Sequence, residues 1–128
     1  ATLSPEIRYS ADNTIAVLRG ASTTYVAPSN VVPNPTTAFS IVGITLFDNG
    51  TNVAGEVTVN GALTSMANAP SGTGGQFAAN ALTVGQGAPD GYFGGDIAEI
   101  IVYPFKLNTA DRRSVEAYLS TKYAITVV

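Results

Sequence analysis

The chain has 128 residues, of which 45% are apolar and 12% charged, a balance typical of one globular domain and not of a disordered segment. It contains no His and no Cys, which excludes the usual general base near neutral pH, thiol nucleophiles and zinc–thiolate sites. The net charge is −3, and no Lys or Arg lies between Arg19 and Lys106, so the clustered cations of a nucleic-acid surface are missing. No apolar run approaches the roughly 18 residues of a transmembrane helix, and we expect neither nucleic-acid nor membrane partners.

The first third of the chain is predicted to form short strands, because brief apolar runs alternate with turn residues. Residues 6–9 and 14–19 are predicted as two strands joined by a turn at residues 11–13, and residues 24–27 as a further short strand. Residues 28–37 contain three prolines, which cannot donate to the hydrogen-bond ladder of a central strand. This segment is therefore predicted as a connecting loop.

The middle of the chain contains the strongest strand prediction, over residues 38–47. The residues that would face one side of this strand and those that would face the other are both largely apolar. This pattern predicts a central strand that is covered on both faces. Asp48-Asn49-Gly50 predicts a tight turn, and residues 55–59 predict the returning strand, which ends at Asn60-Gly61. Residues 67–80 and 85–91 are predicted as loops, and residues 81–84 between them as a short strand.

The last third predicts a strand followed by a helix. Residues 96–103 (DIAEIIVY) are predicted as a strand, and Pro104 ends their hydrogen-bond ladder. Asn108 is predicted to cap a helix over residues 109–122, with Asp111 completing a short capping box.

The predicted helix has one apolar face and one polar face. Its apolar face, which we expect to pack on the strands, comprises Val115, Tyr118, Leu119 and the aliphatic part of Lys122. Its solvent face is predicted to comprise Arg112, Arg113 and Glu116. Residues 123–128 are apolar and β-branched, and they predict a terminal strand.

The last third also carries a recognisable motif, YFGGDIAEIIVYPFKLNTADRRSVEAYLSTKYAI, over residues 92–125. It resembles the closing signature of bacterial and viral laminin G-like, concanavalin A-like domains. The positions that carry the resemblance are Gly95, Asp96, Ile97, Ala98, Glu99, Tyr103, Leu107, Tyr118, Leu119, Lys122 and Tyr123. Residues 38–63 resemble the hairpin of that family, which ends in a Val-Asn-Gly turn. The resemblance implies an all-β fold, an antiparallel β-sandwich of the concanavalin A-like jelly-roll type with one short helix near the C-terminus, and it says little about a ligand.

The N-terminal part departs from that family. Its domains usually begin with several strands that include a Trp-containing segment, whereas this chain has no Trp and offers only one or two strands before residue 38. We therefore expect residues 1–128 to form one laminin G-like domain that lacks its N-terminal strands. A preceding segment or other subunits would then complete the sandwich.

The acidic residues do not predict an active site. Asp96 and Glu99 are the only acidic pair in a predicted strand, and a spacing of three places them on opposite faces. A glycosidase needs two carboxylates on either side of one bond, so we expect no catalytic residues and no enzyme activity. We expect Glu99 to hydrogen-bond with Arg112 or Arg113, and Asp96 to organise the turn at residues 94–95.

A ligand, if one binds, is expected at the loops over residues 48–53 and 85–93. The candidate binding residues there are Asp48, Asn49, Asp90 and Tyr92. Their oxygens could hold Ca²⁺, but ordinary Asx turns are the interpretation we favour, so no cofactor is expected. An aromatic such as Tyr92 can stack on a sugar, but it can equally cover the core, which we favour.

The function that these features favour is a non-catalytic binding or assembly module on an extracellular or virion surface. Low charge and abundant Thr, Asn, Gly and Ala suit a phage virion decoration or fibre domain that contacts a glycan or neighbouring proteins. The alternative is a carbohydrate-binding module or an adhesin domain of a larger secreted bacterial protein. A hydrolase is disfavoured because this sequence offers no catalytic pair of acidic residues.

Overall fold

The computed structural model describes residues 5–9, 15–19, 23–26, 38–48, 53–65, 84–87 and 91–128. Within these ranges the chain forms antiparallel strands in three small sheets and one helix near the C-terminus. The prediction of antiparallel strands with a helix near the C-terminus is therefore confirmed, and that helix is the one that the described ranges contain. No helix in the described part has the length and apolar character that a membrane span requires.

The first sheet contains the three strands predicted before residue 28. Its strands are β1 (Pro5–Tyr9), β2 (Ile15–Arg19) and β3 (Thr23–Val26), in that spatial order. In the register, Ile7 lies opposite Val17, and Val17 lies opposite Tyr25. These positions share one face of the sheet because strand residues alternate with period two. The predicted turn at residues 11–13 and the loop at residues 28–37 lie outside the described residues.

The second sheet contains the predicted hairpin and one further strand. Its order is β4 (Val42–Asp48), β5 (Val53–Val59) and β6 (Ala62–Ser65), all antiparallel. The turn between β5 and β6 is formed by Asn60 and Gly61, with φ values of 49° and 86°. Two positive φ values are what the tight turns of β-hairpins require, and Asn-Gly is the sequence that adopts them most readily. The prediction that the returning strand ends at Asn60-Gly61 is confirmed.

The central strand of this sheet is β5. The sequence predicted a central strand over residues 38–47, whereas in the described sheet β4 begins at Val42 and lies at the edge. Val57 and Thr58 point to opposite faces of β5 and are 0% and 3% exposed, so β5 is covered on both faces. In the described part of the chain β4 therefore has one neighbouring strand, and Val42 is exposed, so the predicted cover on both faces is not observed there.

The remaining core lies where β4 meets β5. Val59 is buried two positions after Val57 on β5, and Ile41, just before β4, is buried where its backbone hydrogen-bonds with Asn60. Gly43 lies opposite Thr58, and a Cβ at Gly43 would collide with Oγ1 of that threonine. Only glycine therefore allows β4 and β5 to approach this closely without a shift of the Thr58 side chain.

The third sheet is a minimal ladder in a segment predicted to be a loop. Strands β7 (Gln86–Gly87) and β8 (Gly91–Tyr92) pair, and the Phe93 amide donates to the Gly85 carbonyl at 2.9 Å. The predicted loop over residues 85–91 is therefore partly wrong. Of the predicted strand over residues 81–84, only Val84 is described, and it is exposed outside any strand.

The helix α1 (Thr109–Tyr123) agrees with the prediction to within one residue. Asn108 is its N-cap, and its Oδ1 accepts from the Asp111 amide at 2.9 Å. The Asn108 side-chain amide also donates to Asp111 Oδ2 at 2.7 Å, whereas in a capping box the acid accepts from the backbone of the cap. The helix ends at Ala124, whose φ of 55° lies in the left-handed region that glycine adopts most easily.

Two predicted strands are not present. Residues 96–103 have no strand partner among the described residues, and the predicted strand over residues 123–128 begins inside α1 and forms no ladder. Apolar, β-branched sequence therefore did not suffice, because a strand also needs a neighbour with free backbone groups. The last residue is nevertheless attached, since the Val128 amide donates to the Asn60 carbonyl at 3.0 Å.

The helix faces also differ from the prediction. Glu116, expected on the solvent face, is the one buried residue of α1 at 4% exposure. Val115 and Leu119 are only half-buried, and Tyr118 is exposed. Arg113, which lies near Glu116 on the helix surface, donates to the Val128 carbonyl beside the Asn60-Gly61 turn. That contact turns the arginine face of the helix toward the second sheet.

Candidate functional site

The residues predicted to bind a ligand are not brought together by any described contact. Asp48 is the last residue of β4, opposite Val53 in the register. Tyr92 is the last residue of β8, opposite Gln86. Asn49 and Asp90 lie outside the described residues. The structure therefore offers no geometry for a site at residues 48–53 and 85–93.

The motif residues, in contrast, converge on Glu99. Its Oε1 accepts from the Tyr118 hydroxyl at 3.2 Å, and its Oε2 accepts from Lys122 Nζ at 3.1 Å and from the Tyr123 hydroxyl at 3.0 Å. Lys122 Nζ also donates to the Tyr118 hydroxyl at 2.8 Å. Residues that are 19 to 24 positions apart in the sequence thus form one hydrogen-bonded group, which we call the Glu99 cluster.

The prediction that Glu99 pairs with Arg112 or Arg113 is wrong. Both arginines lie on another face of α1, where they pair with Glu116. Tyr118 and Lys122 are four residues apart, so they share a helix face, and that face is the one that meets Glu99.

The hydrogen bonds of the Glu99 cluster favour the charged forms of Glu99 and Lys122. The hydrogen bond from Lys122, together with those from the two tyrosines, lowers the pKa of Glu99 despite its partial removal from water. The hydrogen bond with Tyr118 and the one with Glu99 raise the pKa of Lys122. Loss of contact with water and the hydrogen bond to Glu99 raise the pKa of Tyr123. Glu99 therefore stays ionised and is a poor proton donor, so the cluster is suited to attaching residue 99 to α1.

A second charged group lies around Glu116. Its Oε1 accepts from Arg112 Nη1 at 2.6 Å, and its Oε2 lies 3.6 Å from Arg113 Nη1. Oε2 makes no hydrogen bond within the described part of the chain. Since Arg113 also donates to the Val128 carbonyl, this group links α1 to the C-terminal residue.

A third contact attaches the segment before α1 to the second sheet. Lys106 Nζ lies 3.3 Å from the centre of the Phe47 ring and 3.2 Å from Glu56 Oε1. A cation over an aromatic face and beside a carboxylate is attracted by both. Lys106 therefore holds its part of the chain against β4 and β5.

Residues 97–105, which we call the apolar segment, contain the largest run of exposed apolar side chains that the structure describes. The exposed members are Ile97, Ile100, Ile101, Val102, Tyr103 and Phe105. Val102 is 69% exposed and Phe105 is 65% exposed. Such a run is unusual on a protein that has no partner, because contiguous exposed apolar surface favours association.

The backbone of this segment also finds no partner within the described part of the chain. Residues 94–107 make no backbone-to-backbone hydrogen bond with any described residue. One weak side-chain contact is present, from the Tyr123 hydroxyl to the Ala98 carbonyl at 3.5 Å. Free backbone donors and acceptors next to apolar side chains are the properties of an unpaired strand edge.

The other motif residues have no binding geometry of their own. Gly95 and Asp96 are exposed, and Asp96 makes no side-chain hydrogen bond within the described part, so its expected role in the turn at residues 94–95 is not observed there. Leu107 is half-buried, and Tyr103 packs against Phe105, with ring centres 6.3 Å apart. The sequence predicted residues 96–103 as a strand with its two acids on opposite faces, and it did not foresee how many of their apolar side chains are exposed.

Comparison of the chain with protein-family models, with curated proteins and with solved structures finds no significant match. Among the described residues, no group of three or more acidic side chains could hold a metal ion. The candidate site comprises the apolar segment, the Glu99 cluster and the Lys106 contact.

Proposed function

We propose that this chain is a non-catalytic binding or assembly module of a surface structure, and that the apolar segment is its contact surface. The proposed setting is a virion or extracellular surface, with a phage decoration or fibre domain as the best example. The proposed fold is a laminin G-like β-sandwich, in which the Glu99 cluster explains why the Glu, Tyr, Lys and Tyr of the motif occur together. The single observation that carries the proposal is the exposure of residues 97–105.

The chemistry of the apolar segment favours a protein partner. Four of its exposed residues are aliphatic, and its one charged side chain, Glu99, is already paired with Lys122. The centres of protein interfaces are similarly poor in charge and rich in apolar side chains. A sugar, with its many hydroxyl groups, needs polar partners that these aliphatic side chains cannot provide.

The charged groups support binding over catalysis. Three glutamates in the described part each pair with a cation, and none lies beside a second acid: Glu56 with Lys106, Glu99 with Lys122 and Glu116 with Arg112. A hydrolytic pair of carboxylates requires two acids at one bond, with one of them able to hold a proton. The sequence has neither His nor Cys to replace them. The proposed function needs no cofactor, Ca²⁺ included.

Amide hydrogen exchange on the dilute chain tests the proposal. Amides of residues 97–103 should exchange nearly as fast as those of an unfolded peptide, whereas amides of β5 should be protected. Protection of residues 97–103 equal to that of β5 in the monomer would mean that the chain covers its own segment, and the proposal would be wrong. As a matched pair, Val102→Asp should lower binding of the hydrophobic dye ANS more than Leu63→Asp does, since Leu63 is exposed outside the segment.

A carbohydrate-binding or adhesin module is the second candidate, and one observation favours it. Tyr103 and Phe105 form an exposed aromatic pair whose rings are inclined by 54°. Exposed aromatic faces can stack on sugar rings. A glycan array with the whole chain tests this candidate. It is supported by a hit that Phe105→Ala abolishes and Phe39→Ala retains, since Phe39 is an exposed aromatic elsewhere.

A further inference from the structure

We infer that Asn60-Gly61 is a site of spontaneous deamidation that the folded chain keeps closed, and that release of Val128 from the turn opens it. The inference does not depend on the proposed function, because it concerns the turn between β5 and β6 and not the apolar segment. It assigns a covalent modification to Asn60 and names the contact that controls the rate of that modification.

The dipeptide Asn-Gly carries the chemistry. The amide nitrogen of Gly61 can attack Cγ of Asn60, because glycine has no side chain to obstruct the approach. A bond from that nitrogen to Cγ closes a five-membered succinimide ring, and the bond from Cγ to Nδ2 breaks. The side-chain nitrogen leaves as ammonia, together with the proton of the Gly61 amide. Water then opens the ring at either carbonyl and leaves aspartate or isoaspartate at position 60.

The geometry of the turn keeps the reacting atoms apart. The φ values of Asn60 and Gly61 are 49° and 86°, which indicate a type I′ turn. In such a turn ψ of the first residue is about 30°. This ψ places the Gly61 nitrogen nearly opposite Cβ of Asn60 across the Cα–C bond, so the nitrogen points away from Cγ. Attack therefore requires a large rotation about that bond, and the side chain must turn as well.

Two long-range hydrogen bonds oppose these rotations. Oδ1 of Asn60 accepts from the Ile41 amide at 2.8 Å, which holds the side chain. The main-chain carbonyl of Asn60 accepts from the Val128 amide at 3.0 Å, and rotation about the Cα–C bond would swing this carbonyl away from its donor. The Asn60 amide also donates to the Ile41 carbonyl at 2.9 Å. The reaction therefore needs local opening of the turn.

Val128 also covers the residue that carries the nucleophile. Gly61 is buried, and a Cβ at this position would collide with the backbone of Val128 and meet Nη1 of Arg113. Arg113 in turn donates to the Val128 carbonyl. Rotation at Asn60 carries the peptide plane of Gly61 with it, against these neighbours. Departure of Val128 removes both the hydrogen bond and the cover, so the C-terminal residue controls the site.

The isoaspartate product does not fit the native turn. Val59 and Ala62 lie opposite each other in the register, so the turn has two residues. Isoaspartate at position 60 lengthens the main chain by one atom between these partners and removes the normal peptide carbonyl that accepts from Val128. Aspartate keeps the main chain and an acceptor for the Ile41 amide. Formation of isoaspartate is therefore the outcome that separates residue 128 from the turn.

Peptide mapping by mass spectrometry measures the reaction on the whole chain in mildly alkaline buffer, with and without urea. One hydrogen bond changes an opening equilibrium by about two- to tenfold, and two of them hold the rotations. We therefore expect Asn60 to deamidate at least about tenfold more slowly in the folded chain than in urea. Asn49-Gly50, the other Asn-Gly of the sequence, lies outside the described residues and provides a reference in urea, where both sites should react at similar rates.

Val128→Pro tests control by the C-terminal residue, because proline has no amide hydrogen to donate to the Asn60 carbonyl. Val128→Ala is the matched control, since it shortens the side chain and keeps the amide. Without urea, Asn60 should deamidate about two- to tenfold faster in Val128→Pro than in Val128→Ala, and in urea the two variants should react alike. If Val128→Pro does not fold, a chain shortened by residue 128 removes the same donor.

The remaining results would overturn one part of the inference or the other. Equal rates at Asn60 in the folded and the urea-unfolded natural chain would overturn the closed site. A slow rate in the folded chain that is the same in Val128→Pro and Val128→Ala would overturn control by residue 128.

Discussion

Replacing Glu116 by Gln tests the least expected feature of the helix. On a solvent face, as the sequence predicts, an Arg–Glu pair four residues apart contributes only about 0.3–0.5 kcal/mol. In the structure Glu116 is 4% exposed and accepts a 2.6 Å bond from Arg112, and a hydrogen bond to a charged group contributes about 1.5–3 kcal/mol.

The expected loss can be reasoned from these contacts. Gln keeps the size of the side chain and one acceptor for Arg112, so part of the hydrogen-bond energy remains. The pair with Arg113 at 3.6 Å adds less than about 1 kcal/mol, since that arginine is largely exposed. We therefore expect Glu116→Gln to lower the free energy of unfolding by about 1–2 kcal/mol, and Glu116→Ala by about 2–3 kcal/mol.

Urea unfolding followed by far-ultraviolet circular dichroism measures these losses. The dependence of the unfolding free energy on urea should be the same in each variant, so that a shifted midpoint reports a change in stability. Ala117→Gln is the matched control, because it places the same side chain at the next, exposed position of α1 and should change stability by less than about 0.5 kcal/mol. A loss below about 0.5 kcal/mol for Glu116→Gln would refute the buried placement and restore the solvent face that the sequence predicts.

Three further changes test the helix and its attachment by the same unfolding assay. Leu119→Ala should cost about 1–2 kcal/mol, less than a fully buried leucine, because Leu119 is half-buried. Ala124→Gly should stabilise the chain by about 0.5–1 kcal/mol, since it relieves a left-handed φ of 55° at the end of α1. The folded-state pKa of Glu99 is lowered from 4.5, so its contribution is present above that value and is lost as the pH falls through the folded pKa. Glu99→Gln should therefore reduce the difference in urea midpoint between pH 7 and about pH 3.

Each of these has a result that contradicts it. A cost above about 3 kcal/mol for Leu119→Ala would show a fully buried side chain, and one below about 0.5 kcal/mol would show a solvated one. Destabilisation by Ala124→Gly would mean that the alanine methyl makes a contact that outweighs the strained φ. An unchanged pH dependence in Glu99→Gln would show that the pairing with Lys122 is absent in solution.

The parts of the fold that sequence reasoning predicted correctly are those with local signals. Asn60-Gly61 fixes its hairpin because both residues adopt positive φ, and Asn108 fixes the start of α1 because its side chain satisfies a free amide. The strands before residue 28 follow from the spacing of apolar and turn residues. Each of these signals acts over fewer than about ten residues, and sequence patterns predict secondary structure well over that range.

The errors share a different origin. Whether residues 96–103 join a sheet depends on a partner strand that their own sequence does not specify, and β propensity cannot provide one. The burial of Glu116 accompanies a contact between Arg113 and the Val128 carbonyl, 15 positions apart, which the helical pattern alone does not predict. The candidate site was predicted only in part: Glu99, Tyr118, Lys122 and Tyr123 were recognised as a motif, but their common hydrogen-bonded group was not foreseen.

Two side-chain attachments position the apolar segment, which is the contact surface that we propose. Glu99 fixes it to α1, and Lys106 fixes the residues just after it to β4 and β5. Ordering one residue costs about 1–2 kcal/mol of backbone entropy, so a strand that is attached at two points loses less on binding than a free one. These attachments use side chains only, and the backbone of residues 100–105 makes no backbone hydrogen bond with the other described residues. The residues that attach the segment are therefore not those that it exposes most.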